Sequence, residues 1–294
     1  MSKIIEKDLN IIHKLIQEHC ACDYKTIERM GGLTNHTYKV LTENDELLVA
    51  RVPGDGTEKM ISRTNEKVSA KLACDLGIDT EIIYFGNDGV KLTKYIENAQ
   101  TLHKDSAREN LEAMAKTLAI LHNSNVDTKI PFDVFGTAKT YEDIINQYNV
   151  EMYEDYAEVK ETVLALSKVV NSRKVVTCHN DPLCENWVKS DDKLYLIDWE
   201  YAGMNDPLWD LAAVSIEAEL DEELDKIFVD AYIKDMEFDQ DLDLNKVFIA
   251  NKIYVDYLWT LWAKTRVPFD GQDMEDWANE RYQRLKNNLK LINK

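Results

Sequence analysis

After an opening helical stretch, the spacing of apolar residues changes to strand-like runs and then, near residue 98, turns mostly helical, and nothing else in the chain restricts its fold as strongly. Before that point, short β-branched and aromatic runs are broken by turn sequences; beyond it, apolar residues mostly recur every three or four positions. Residues 1–20 read as a helix, with Ile4, Ile5, Leu9, Ile12, Leu15 and Ile16 at helical spacing. Strands are predicted at 26–30, 37–41 and 47–52, the last stopped by Pro53-Gly54. A helix over 57–76 closes at Gly77, and strands at 82–85 and 90–95 flank the turn Asn87-Asp88-Gly89. Further helices are predicted at 105–123, 140–149, 156–171 and from 207 onward, interrupted by a β patch at 174–177, 187–189 and 194–197. The pattern is that of an α+β chain in two lobes. A small five-stranded antiparallel sheet plus one helix occupies 1–95, and a larger, mainly helical lobe occupies 96–294. A ligand is expected in the cleft between two such lobes.

Charge narrows the partners. Acidic residues outnumber basic ones 54 to 35 in 294 residues, a formal charge of −19. A surface that acidic repels phosphate backbones and anionic lipid, so nucleic acid and membrane are not expected partners. It is compatible with cationic small molecules and divalent metals. Five cysteines, an odd number without a C-x-x-C pair, fit reduced thiols in a cytoplasmic protein. Cys178-His179 with Cys184 is the nearest approach to a zinc set, but Asp181 and Asn186 in the same stretch indicate other chemistry. Residues 1–10 lack the apolar core of a signal peptide. The apolar stretch 247–263 is interrupted by Asn251, Lys252 and Asp256, as suits an amphipathic or buried helix.

The chemistry concentrates in His179-Asn180-Asp181-Pro182-Leu183-Cys184-Glu185-Asn186 and in Leu196-Ile197-Asp198-Trp199-Glu200. An Asp, an Asn five residues later, and an Asp twelve further on at the end of an apolar strand fill three roles in protein kinases. There the first Asp accepts the hydroxyl proton of the acceptor, while the Asn and the second Asp hold magnesium through oxygen ligands, roles that by this likeness would fall to Asp181, Asn186 and Asp198. Asp-Pro and Ser-Asp-Asp are also ordinary turn sequences. The N-terminal lobe strengthens the catalytic reading. The segment 30–38 carries Gly32, Thr34 and Asn35 between two strands, where backbone N–H groups and small polar side chains can cap phosphate oxygens. Arg51 interrupts an apolar strand and needs a partner, for which Glu66 on the next helix is available; the alternative is an edge-strand arginine facing solvent.

Taken with GGLTNHTY, LLVARV, YIEN, HNDPLCENW, LIDWEYAGMNDPLWDLA and LWTLW, the chain resembles bacterial choline kinases, within the superfamily of aminoglycoside phosphotransferases and choline kinases. The resemblance covers most of the chain and implies a protein-kinase-like fold. Two departures from protein kinases, a phosphate loop that is not G-x-G-x-x-G and Arg51 in place of Lys, are shared by choline kinases. It further implies that Arg51, held by Glu66, contacts nucleotide phosphate, and that Tyr95-Ile96-Glu97 meets adenine through its backbone. Asp210 and His179 are implied to support the catalytic loop. Glu200, two residues after Asp198, is a candidate to support the metal site from behind. ATP and Mg2+ are the implied nucleotide and ion, and choline the implied acceptor.

The acceptor has its own signal. Trp259 and Trp262 are three residues apart and share a helix face, with Trp277 in the last helical segment. A quaternary ammonium has no N–H to donate, so ring faces and carboxylates must hold it, each well-desolvated ring contributing roughly 0.5–2 kcal/mol. The resemblance places Glu217 where a carboxylate faces that ammonium. Tryptophans at this spacing are also ordinary core residues. Ethanolamine, an aminoglycoside or thiamine are alternative acceptors, and a catalytically silent binding module is the alternative from another class.

Overall fold

The computed structural model describes residues 5–31, 35–54, 61–191 and 193–292. The chain forms two compact units, Met1–Leu102 with Glu185–Ala202, and His103–Cys184 with Gly203–Lys294. The first unit thus extends past the expected limit at residue 95 and takes a segment from the middle of the chain.

In the first unit, helix α1 (Glu6–Cys20) precedes strands β1 (Tyr24–Gly31), β2 (Asn35–Thr42) and β3 (Leu47–Pro53). Helix α2 (Arg63–Asp75) and strands β4 (Ile82–Phe85) and β5 (Lys91–Lys94) follow. The five strands form one antiparallel sheet in the order β1-β2-β3-β5-β4. Alternation along β3 puts Leu48, Ala50 and Val52 into the core with Ile12, Leu15 and Ile16 of α1. Arg51 is the odd member of that alternation. It sits in the middle strand, between Thr37 of β2 and Lys91 of β5, so the solvent-facing edge position is ruled out. The Ser62 hydroxyl caps α2 by accepting from Asn65 N at 3.4 Å, and Gly77, at φ +70°, turns the chain out of the helix. The expected helix start at residue 57 lies outside the described residues.

The β patch is the main correction to the predicted elements. Its three pieces do not form one sheet. Strand β6 (Gln100–Thr101), too short to predict, pairs with β8 (Trp187–Ser190), which pairs with β9 (Lys193–Leu196). Strand β7 (Val176–Cys178) belongs to the second unit and pairs with β10 (Gly203–Asn205). Trp187 and Trp199 are fully buried, and Leu196 N donates to Ile78 O at 3.1 Å, which ties this hairpin to the first unit.

The second unit is helical: α3 (Lys104–Arg108), α4 (Leu111–His122), α5 (Val134–Gln147), α6 (Tyr156–Ser167), α7 (Pro207–Glu217), α8 (Glu222–Tyr232), α9 (Leu244–Asp270) and α10 (Gln272–Ile292). The single helix expected over 105–123 is two, because the Asn110 side chain donates to Ser106 O at 2.7 Å and competes with the backbone ladder. The expected helix at 140–149 starts earlier, where Asp133 caps it by accepting from Gly136 N at 2.9 Å. The long α9 packs against α5, α6, α7 and α10. Among the described residues, no helix is long and apolar enough to cross a membrane.

Candidate active site

Strand β3 and helix α2 supply the charged centre of the first unit. Arg51 pairs with Glu66 through Nη2 and donates from Nη1 to Asp198 Oδ1 at 3.3 Å. Arg63 reinforces the carboxylate by donating to Glu66 Oε2 at 2.8 Å, and its Nη2 reaches Asn35 Oδ1 at 3.0 Å. Asn35 in turn donates to Glu200 Oε2 at 3.1 Å, so a continuous chain of hydrogen bonds joins Asn35 to Asp198 and Glu200. Burial alone would raise the Glu66 carboxyl; the cations Arg51, Lys91 and Arg63 overcome it and hold Glu66 below its ordinary value. Burial and the nearby Asp198 push Glu200 up to about 7, against the hydrogen bond from Asn35. Gly89, at φ +87°, lets the β4–β5 turn pass close to Arg63; a Cβ there would lie 2.6 Å from Arg63 Cδ. Gly32 and Thr34 lie outside the described residues.

The hairpin of β8 and β9 brings Asn186 and Asp198 together. Ile197 N donates to Asn186 O at 2.9 Å, and Trp187 stands opposite Leu196. Asp198 has φ +68°, a left-handed conformation that a non-glycine residue holds only when its surroundings impose it. Two side chains that can offer oxygen ligands suit a hard divalent cation such as Mg2+. Tyr95 N is bound to Leu47 O at 3.1 Å, and the Ser190 hydroxyl donates to Glu97 O. The segment of Tyr95, Ile96 and Glu97 is therefore anchored at both ends within the first unit.

Asp181 lies in the second unit, on a loop leaving β7 whose shape is fixed from several sides. Asp210 accepts from His179 N and Asn180 N, each at 2.7 Å. The Trp209 indole donates to Asn180 O at 2.9 Å, and Asn205 donates to Asn180 Oδ1 at the same distance. These bonds hold Asn180 at φ +69°. Asp181 N donates to His179 Nδ1 at 3.3 Å, which places the ring beneath the loop. His122, Cys178 and Asp210 bring their ligand atoms within 4.8 Å of one another. They spend them on one another and on adjacent groups: His122 bonds Tyr232 at 2.6 Å and Asp210 at 3.1 Å, and Cys178 Sγ donates to Asn205 O at 3.6 Å. That is a hydrogen-bonded knot behind the loop.

Three tryptophans form a seam on α9 and α10 of the same unit. Trp259 and Trp262 meet edge to face with centroids 6.2 Å apart, and Trp262 meets Trp277 likewise at 5.9 Å. Trp259 is nearly buried, whereas Trp262 and Trp277 are half-buried. Glu217, at the end of α7, is ion-paired with Arg281, whose guanidinium carbon lies 3.9 Å from the Trp277 ring centroid. Arg63, Lys91 and Arg281 are charged groups of these clusters that the sequence reading did not single out as site residues. Each had a signal: Arg63 precedes Glu66 by three residues on a helix, Lys91 interrupts an apolar strand as Arg51 does, and Arg281 follows Trp277 by four.

This fold, with its oxygen-rich strand-end pair and braced Asp loop, defines a class: a phosphotransferase of protein-kinase-like fold that acts on an alcohol. Residues 27–285 match the family model of choline/ethanolamine kinase, and the chain belongs to that family. The protein LicA of Haemophilus influenzae is 29% identical over 86% of this chain and 76% of its own. The crystal structure of choline kinase LicA from Streptococcus pneumoniae is similar at TM-score 0.80 and 33% identity, covering 97% of this chain and 99% of that one. A structure of LicA in complex with AMP matches at TM-score 0.77 and 32% identity over 96% and 98% of the two chains.

Proposed function

We propose that this protein phosphorylates choline to phosphocholine with ATP, by direct in-line transfer. The observation that carries the reading is the tryptophan seam of α9 and α10, in a chain alike over nearly its whole length to a solved choline kinase. Ring faces attract a trimethylammonium group and ask no hydrogen bond of it. The likeness to a LicA structure holding AMP supports adenine nucleotide as donor, with Arg51, Asn35 and the 30–38 segment around the phosphates and Tyr95-Ile96 beside the base.

In this reading Asp181 accepts the choline hydroxyl proton as the acceptor oxygen forms its bond to the γ-phosphorus and the bond to the bridging oxygen of ADP breaks. Arg51, held rigid by Glu66, offsets charge on the phosphates at no cost in reorganisation. Asn186 and Asp198 would hold Mg2+, which when bound neutralises phosphate charge. No covalent enzyme intermediate is needed. The N-terminal unit then serves the nucleotide and the helical unit the acceptor.

The test is ADP release by the purified protein with MgATP, offered choline, ethanolamine and an aminoglycoside in parallel. Choline-dependent turnover well above the others supports the reading. Preference for another acceptor would discard choline and keep the phosphotransfer residues, and no turnover with any acceptor in protein that binds ATP would overturn it.

A further inference from the structure

Among the described residues, the acceptor-side cluster contains a cation of the protein's own. The Arg281 side chain is only 3% exposed; it pairs with Glu217, donates from Nη1 to Asp256 Oδ1 at 3.3 Å, and sets its guanidinium carbon 3.9 Å from the Trp277 ring centroid. Asp256 is fully buried and is gripped from its other side by Arg284, through Nε at 2.8 Å and Nη2 at 2.7 Å. Two carboxylates and two guanidinium groups thus share one cluster. Both features that a cationic acceptor would seek, the Glu217 carboxylate and the Trp277 face, are engaged by Arg281. Arg281 cannot leave cheaply, since Asp256 would lose a partner inside the protein.

Given the reading of the protein as a choline kinase, we infer that Arg281 sets acceptor specificity by neutralising Glu217, so that the site selects a fully methylated ammonium over a primary one. The physical reason is the difference between the two cations. A primary ammonium carries three N–H donors that must find acceptors once water is stripped away, and a carboxylate already bridged by a guanidinium serves it poorly. A trimethylammonium has no donor to satisfy and loses nothing by the neutralisation. It needs polarisable ring surface, which the half-buried Trp262, backed by Trp259, presents at the centre of the seam. Arg281 discriminates by withholding an acceptor from the wrong substrate. It is a positioning residue, acting through Glu217 and Trp277.

The experiment is a cycle of three variants, R281M, E217Q and the double variant, assayed for kcat/KM with choline and with ethanolamine. R281M releases the Glu217 carboxylate and is expected to shift the choline-to-ethanolamine ratio about tenfold toward ethanolamine. The double variant, lacking that carboxylate, is expected to lose the gain. R281K, which keeps the charge but cannot bridge Glu217 and Asp256 as a planar fork, should shift the ratio in the same direction and serves if R281M does not fold. Binding of tetramethylammonium and methylammonium, followed by tryptophan fluorescence without nucleotide, reads the same ratio independently of phosphoryl transfer. An unchanged ratio in both Arg281 variants, or a gain that survives in the double variant, overturns the inference and leaves the choline reading intact. Wild-type protein that binds neither ammonium probe overturns the acceptor reading, and the inference with it.

Discussion

Glu66 is a fully buried carboxylate surrounded by Arg51 and Arg63, a position tolerable only while all three stay charged and paired. Its pKa is depressed in the folded protein, against an ordinary value of 4.5. A depressed acid stabilises the fold above its unfolded pKa and loses that contribution as pH falls through the lower folded value. Glu66→Gln is therefore expected to flatten the acid limb of the stability–pH profile below the ordinary carboxylate range, and to lower stability at neutral pH. Urea titrations at a series of pH values measure both. Arg51→Met leaves Glu66 and Asp198 without their shared cation and should cost about 3–5 kcal/mol in the same titration. At Asp181 the expectation differs in kind. Loss of a general base lowers turnover about 10²–10⁴-fold. Asp181→Asn should produce a kcat loss of that order with an unchanged melting temperature, and wild-type kcat in that variant would remove Asp181 from the reaction.

At the scale of elements, α9 carries two roles that one helix face could not announce. Trp259 is 7% exposed and Trp262 half-buried, so the same three-residue spacing yields one ring in the core and one at its margin. Trp259→Ala is expected to destabilise by about 3–5 kcal/mol. Trp262→Ala should raise choline KM severalfold with a much smaller change in melting temperature. Paired thermal and kinetic measurements distinguish the two, and an equal effect on KM with equal loss of stability would make the pair a packing unit only. Long periodic elements such as α1, α2 and α9 were legible in the sequence because amphipathic or apolar runs declare themselves locally. Strands β6 and β10, two and three residues long, carry no such pattern. The pairing of β7 with β10, and of β8 with β6, joins segments whose register only tertiary packing decides.

The whole molecule divides close to the change of spacing near residue 98, and again at both ends of Glu185–Ala202, where the sequence shows no seam. Glu185–Ala202 belongs to the first unit although the helical segments 103–184 precede it. Leu102 N donates to Trp187 O at 2.9 Å, and Trp187 and Trp199 contribute two fully buried indoles to that unit. A fragment ending at Leu102 lacks both, and is expected to show no cooperative thermal transition by circular dichroism; restoring 185–202 through a flexible linker should recover one. The sequence by itself determined the family and the order of the main elements, and it is the source of the proposal for Asp181, Asn186 and Asp198, because those signals are written in contiguous motifs and short spacings. The tertiary structure alone decided what Glu217 and Trp277 touch. Their partner Arg281 lies on a different helix from Glu217, 64 residues away in sequence, and an ion pair between them exists only once α7, α9 and α10 have packed.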